Sequence, residues 1–263
     1  MRLGRPWMVG AMATLAALGL AAKSIDRDPV PPEARLSLPR NVEPAASAAR
    51  LSQVHITRLL GLSIRGHPIR LTETGAPGRP SILVVGCVHG NEPAGIAVAR
   101  DLISDPSPRQ VLLWVVPSLN PDGVVAGTRQ NAHSVDLNRN FPWQWRPIGL
   151  SGDLYYSGPR PLSEPESRIA RRLILRQHPH VAIWFHQHEH LVDESGGDIR
   201  IERRYASLTG MRLARLPRYP GSAVGWQNHT LPRTTAFVVE LPKGSLGPGG
   251  VERFSDAILR LLR

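Results

Sequence analysis

A single cysteine, Cys87, stands in the 263-residue chain, so no intramolecular disulfide can form and the fold must rest on its core. Cys87 lies within the apolar run Ile82–Val88, where a buried, inert thiol is expected. Aromatic residues make up only 5% of the chain and lysine occurs only at positions 23 and 243. Nearly all positive charge is therefore arginine, and it is scattered, which argues against the clustered basic stripe of a nucleic-acid-binding protein. The net charge of +11 divides into +3 on residues 1–50, from seven basic and four acidic groups, and +8 on residues 51–263. Either this is a solvated surface in an arginine-biased composition, or it attracts anionic cell-wall polymer or lipid head groups. There is no internal repeat, and 41% hydrophobic residues are too many for a disordered chain.

Long apolar runs are also scarce. Trp7–Ala22 follows Arg2 and Arg5 and reads as the apolar part of an export signal. It is shorter than the ~20 residues that span a bilayer. Gly19, Ala21 and Ala22 offer a cleavage site, and a retained N-terminal membrane anchor is the alternative. Residues 23–50 are polar and Pro-rich, as in a linker, which leaves residues 51–263 as one folded domain.

Within that domain Leu59–Thr74 alternates apolar and polar residues around Arg65-Gly66-His67-Pro68, predicting a hairpin. Ser81–Val88, Val111–Val116, Val181–Phe185 and Thr235–Val239 are short, nearly unbroken apolar runs and read as buried strands. Pro93–Ile103, Ile201–Leu213 and Val251–Leu262 have helical spacing, and Ser163 is expected to cap a helix running through Gln177. Apolar runs alternating with amphipathic helices predict an α/β domain, its mixed, mostly parallel sheet covered on both faces. Ligands in such folds gather beyond the carboxyl ends of strands. His89 follows Val88, His186 follows Phe185 and Glu240 follows Val239, each where an apolar run finishes.

Those residue types have chemistry in common. His89 and Glu92 lie three apart in a Gly-containing loop entering a helix at Pro93, and a catalytic zinc site takes three ligands of the His/His/Glu kind plus an open position. The third ligand should come from Phe185-His186-Gln187-His188-Glu189-His190. His186 directly follows the apolar run, His188 shares its side-chain parity and competes with it, and His190 is expected in a solvent-exposed loop. Glu240 ends an apolar strand, where a carboxylate is unfavourable unless paired or functional, and a general base and acid role suits it. Arg129 and Arg139, in a segment rich in Asn and Asp, are candidates for an oxyanion partner and a substrate-carboxylate clamp.

Taken in order, His89-Gly90-Asn91-Glu92, Asn120-Pro121-Asp122-Gly123, Val135-Asp136-Leu137-Asn138-Arg139-Asn140-Phe141, His186 and Glu240 resemble the zinc carboxypeptidase family, within it the bacterial murein peptide amidase branch. The match runs from about Leu59 to the C-terminus. The resemblance implies a mixed eight-stranded sheet and one Zn²⁺ per chain held by His89, Glu92 and His186. It further implies Arg129 as carbonyl-polarising group, Asn138 and Arg139 as substrate-carboxylate binders, Glu240 as general base and Tyr219 as the substrate-binding tyrosine. Ser134 stands where the family has Gly. The implied activity is hydrolysis of an amide bond in an exported setting, on a peptide substrate with a free carboxylate, foremost a cell-wall peptide of the γ-D-glutamyl-diaminopimelate type. A general carboxypeptidase acting on peptide C-termini and a zinc deacylase of N-acyl amino acids are the alternatives.

Overall fold

Val54–Leu62 (β1) and Pro68–Gly75 (β2) form the antiparallel hairpin that the Arg65–Pro68 turn predicts. This computed structural model describes residues 53–105 and 109–262. The expected signal or anchor at 1–22 and the linker at 23–50 lie outside the described residues. Among the described residues no helix is long and apolar enough to cross a membrane.

The apolar runs become strands: Ser81–Val85 (β3), Leu112–Val116 (β4), Val181–Asp193 (β5) and Thr235–Pro242 (β7), with Arg212–Ala214 (β6) as a short addition. The helices are Ala94–Ser104 (α1), Pro121–Ala126 (α2), Pro165–Gln177 (α3), Ile199–Thr209 (α4), Ala223–Thr230 (α5) and Pro248–Arg260 (α6). Strand order is β1-β2-β4-β3-β5-β6, with β7 also paired to β5. The hairpin joins β4 in antiparallel fashion, while β4–β3, β3–β5, β5–β6 and β5–β7 are parallel. This is one α/β domain with a mixed sheet.

The described strands number seven, one fewer than the resemblance implies. The difference lies in β5. Its pairing with β7 climbs from Val181 opposite Thr235 to His188 opposite Pro242, then runs back, with Leu191 opposite Glu240 and Val192 opposite Val239. The reversal passes through His190, whose φ is +51°, so one 13-residue strand covers both directions.

Because side chains alternate across a strand, the buried sheet has two apolar faces. Ile82, Val84 and Ile183 join Val98, Tyr205 and Phe254 of α1, α4 and α6 on one face. Leu83, Val85 and Trp184 join Ile169, Val224 and Phe141 on the other, against α3, α5 and the loop after β4.

Boundaries differ from the expectation at several elements: β3 ends at Val85, β5 runs on past Phe185 to Asp193 and α6 begins at Pro248. The helical spacing over 201–213 stops early, because Gly210 takes the left-handed conformation (φ +68°) that closes α4 and lets β6 begin. Ser163 does not cap α3. Glu164 occupies the N-cap with Pro165 after it, and the Ser163 hydroxyl donates instead to the Glu164 carboxylate at 2.7 Å.

Candidate active site

Two glycines explain how the metal-loop motif and the Asn-Pro-Asp-Gly motif meet. A Cβ on Gly90 would lie 1.9 Å from the Gly123 carbonyl carbon, so the two backbones approach as only glycine permits. Asn120 fastens the contact: its Oδ1 accepts from Gly123 N at 2.9 Å, capping α2, and its Nδ2 donates to Val88 O at 3.1 Å. Asp122 ties the same loop to the hairpin, accepting from the Ser63 hydroxyl at 2.7 Å and Arg65 N at 3.0 Å.

The loop so held delivers His89 and Glu92 to the end of β3, where β5 brings His186. The three are buried, and their ligand atoms lie within 4.8 Å of one another. His186 Nδ1 is 3.1 Å from His89 Nδ1 and 2.9 Å from Glu92 Oε2, and His89 Nδ1 is 3.0 Å from Glu92 Oε2. A tetrahedral zinc ion with bonds near 2.0–2.1 Å separates its ligands by about 3.3 Å. The donor set and its spacing therefore fit a zinc ion with a small outward adjustment. His188, the competing ligand, is 65% exposed on its side chain and stands outside the cluster, and His190 is exposed as expected but lies within β5 rather than in a loop.

Carboxylates surround the imidazoles. His89 Nε2, the nitrogen facing away from the cluster, is 3.0 Å from Asp136 Oδ1, the arrangement that orients a metal-binding imidazole. Asp136 also receives Asn138 N at 2.9 Å, starting the short 3₁₀ turn at Leu137–Arg139. Burial alone would raise the Asp136 carboxyl, but His89, Arg129 and Arg139 outweigh it and hold it well below the usual range. Glu92 is likewise held low, burial being outweighed by His89 and His186. The same carboxylates, Asp136 foremost, raise His89 against the opposing effect of burial. The expectation for Cys87 agrees with its place: it is fully buried, and burial pushes its thiol up to about 12.

Glu240 of β7 sits directly opposite His186 in the strand register. Its Oε2 is buried with no hydrogen-bond partner among the described residues. Burial pushes its carboxyl above the ordinary range, against the pull of His186, with Glu92 adding to the rise.

The remaining candidates line one cleft of about 840 Å³ with the metal cluster and Glu240. Arg129 donates from Nε to Asp136 at 2.9 Å and from Nη1 to Glu92 Oε1 at 3.0 Å. Asn138 accepts from Ala223 N at 2.9 Å and lies 3.4 Å from His186 Nε2. Arg139 is buried, donates to Asn138 O at 2.8 Å and stacks its guanidinium 4.1 Å over the ring of Tyr219, which is half exposed. The sequence alone points to no role for Asp136, Gln187 or Tyr155. Asp136 was visible as a lone acid between Val135 and Leu137. Gln187 accepts from Ala94 N at 2.9 Å and donates to Pro242 O at 2.8 Å, pinning β5 to α1 and β7. Tyr155, whose ring lies 5.1 Å from Arg129 and 5.7 Å from Arg139, sits in an irregular loop with no local signal.

The chain is similar in sequence and fold to known proteins. Murein peptide amidase A of Escherichia coli (strain K12) is 32% identical over 141 residues, 49% of this chain and 58% of that relative, so the aligned stretch spans little more than half the relative's length. Carboxypeptidase B of Astacus astacus is 29% identical over 164 residues, 50% of this chain and 54% of that one. The crystal structure of murein-tripeptide amidase from Escherichia coli O157 superposes with a TM-score of 0.64 at 27% identity, covering 82% of this chain and 95% of the other. The zinc carboxypeptidase family profile matches residues 46–192, over half the chain and through both motifs and His186, and the chain belongs to that family of zinc metallopeptidases.

Proposed function

We propose that this chain hydrolyses an amide bond in cell-wall murein peptides of the γ-D-glutamyl-diaminopimelate type, with His89, Glu92 and His186 as zinc ligands. The observation that carries the reading is the pairing of the His89–Glu92–His186 cluster with Glu240, opposite His186 and with a buried, unpartnered carboxylate oxygen. When bound, zinc supplies a Lewis acid that acidifies water and polarises the scissile carbonyl. Glu240 takes the proton of the attacking water and returns it to the leaving amine. Asn138 and Arg139 hold the free carboxylate of the substrate, Arg129 offers its guanidinium to the developing oxyanion while Asp136 anchors it, and Tyr219 covers the clamp. Similarity to the murein peptide amidases supports the wall-peptide substrate.

Arg2, Arg5 and the apolar Trp7–Ala22 support export, with residues 1–22 as signal or anchor, 23–50 as linker and 51–263 as the peptidase domain. N-terminal sequencing of secreted material should then start near residues 22–24, whereas an intact Met1 in cytosolic protein would remove the export proposal. The substrate is tested by offering zinc-loaded protein muropeptides containing diaminopimelate and plain C-terminal dipeptides, with and without chelator. Faster, chelator-sensitive cleavage of the muropeptide is expected. Faster cleavage of plain dipeptides would replace this reading by a general carboxypeptidase.

A further inference from the structure

The same cleft contains an ion pair that hydrolysis does not use. Asp193, at the end of β5, is buried, and its carboxylate accepts from the Ser195 hydroxyl at 2.6 Å, from Leu216 N at 2.8 Å and from Arg218 Nη1 at 2.7 Å. Those three donors and the guanidinium charge leave Asp193 little capacity to recognise another cation. Arg218 is different. Its side chain is 41% exposed in the cleft, and a guanidinium has five N–H donors, of which Asp193 takes one. Arg218 precedes Tyr219, whose ring is stacked by Arg139, and all three line the cleft. Two arginines 79 positions apart in sequence, Arg139 and Arg218, thus present planar carboxylate-binding forks to one site.

We propose that Arg218 binds a second substrate carboxylate, at the end of the side chain of the residue on the carboxyl side of the scissile bond. This rests on the clamp of Asn138 and Arg139 taking the first. Asp193 is a positioning residue: it fixes the guanidinium through Nη1 and the loop through Leu216 N. The occupant is a residue with a dicarboxylic side chain, and a lysine-like side chain is disfavoured.

The test uses zinc-loaded full-length protein and peptides sharing one acyl part, with aminopimelate, norleucine or lysine after the scissile bond. Calorimetry with free aminopimelate and free norleucine gives a readout independent of turnover. Aminopimelate should show the lower KM at similar kcat. Arg218→Gln should raise that KM roughly 10–100-fold, the range for a lost charge-assisted hydrogen bond, and leave the norleucine peptide unchanged. Arg218→Lys should recover part of the difference, and Asp193→Asn should raise the KM of the aminopimelate peptide alone. Equal effects of Arg218→Gln on both peptides, or a preference for lysine, would overturn the inference. Should no peptide be cleaved while free aminopimelate still binds more tightly than norleucine in an Arg218-dependent way, the amidase reading fails and the second carboxylate site stands.

Discussion

Glu240 is where burial and chemistry pull against each other. A carboxylate with an unpartnered buried oxygen costs stability, and a purely structural residue there would be paired. Glu240→Gln keeps the shape and removes the base, so kcat should fall about 10²–10⁴-fold while zinc content stays stoichiometric. Because no ion pair is lost, the melting temperature should stay the same or rise. A melting temperature far below wild type with normal turnover in the folded fraction would show that the residue is structural. The ligand choice is decided the same way: His186→Ala should abolish stoichiometric zinc and His188→Ala should retain it, as metal analysis can measure. In sequence His186 is favoured only because it directly follows the apolar run, since strand parity puts His188, two residues on, on the same side. What separates them is the reversal of β5 just beyond, a tertiary feature with no local signature. Ser134 was legible as a departure from the family, and its φ of +57° gives the reason glycine is favoured there.

At the level of elements, the strands were readable because buried parallel strands are continuous apolar runs, and β3, β4 and β7 begin within a residue of the expected positions. The connection from β5 to α4 was not readable. It depends on Glu202, a buried acid whose carboxylate accepts from Ser195 N at 3.1 Å and Gly197 N at 3.3 Å. Burial raises its carboxyl from 4.5 to about 7, opposed by those two N–H groups and by Arg218, and assisted by Asp193. A carboxyl raised on folding binds its proton more tightly in the native state, so its contribution favours folding at low pH and is lost as pH climbs from 4.5 through about 7. Glu202→Gln keeps an acceptor for both N–H groups without the charge. Urea unfolding at several pH values should therefore find variant and wild type similar near pH 4.5 and the variant increasingly more stable up to about pH 7, with a constant gap beyond. A gap that does not change with pH would mean that Glu202 ionises normally.

Across the whole molecule, the site is assembled from segments far apart in the chain: His89 and Glu92 after β3, His186 in β5, Glu240 in β7. Sequence order suggests this convergence because His89, His186 and Glu240 each end an apolar run, and the Asp193–Arg218 pair carries no such signal. The same distribution makes zinc a cross-link between the loop after β3 and the neighbouring strand β5 of the native state, and a ligand that binds only the folded chain stabilises it by RT ln(1 + [L]/Kd). At free zinc about 100 times Kd the gain is about 2.7 kcal/mol. For a domain of this size that is a rise in melting temperature on the order of 5–10 °C. None of the three ligands belongs to either apolar face of the sheet, so the core is built from other residues. Chelation should therefore lower the melting temperature by that amount and leave a cooperative transition well above room temperature. His186→Ala should start near the chelated value and respond to neither zinc nor chelator. A chelated wild type that melts with the loaded one would refute the three-ligand site, and one unfolded at 25 °C would mean that the ion, rather than the sheet, holds the domain together.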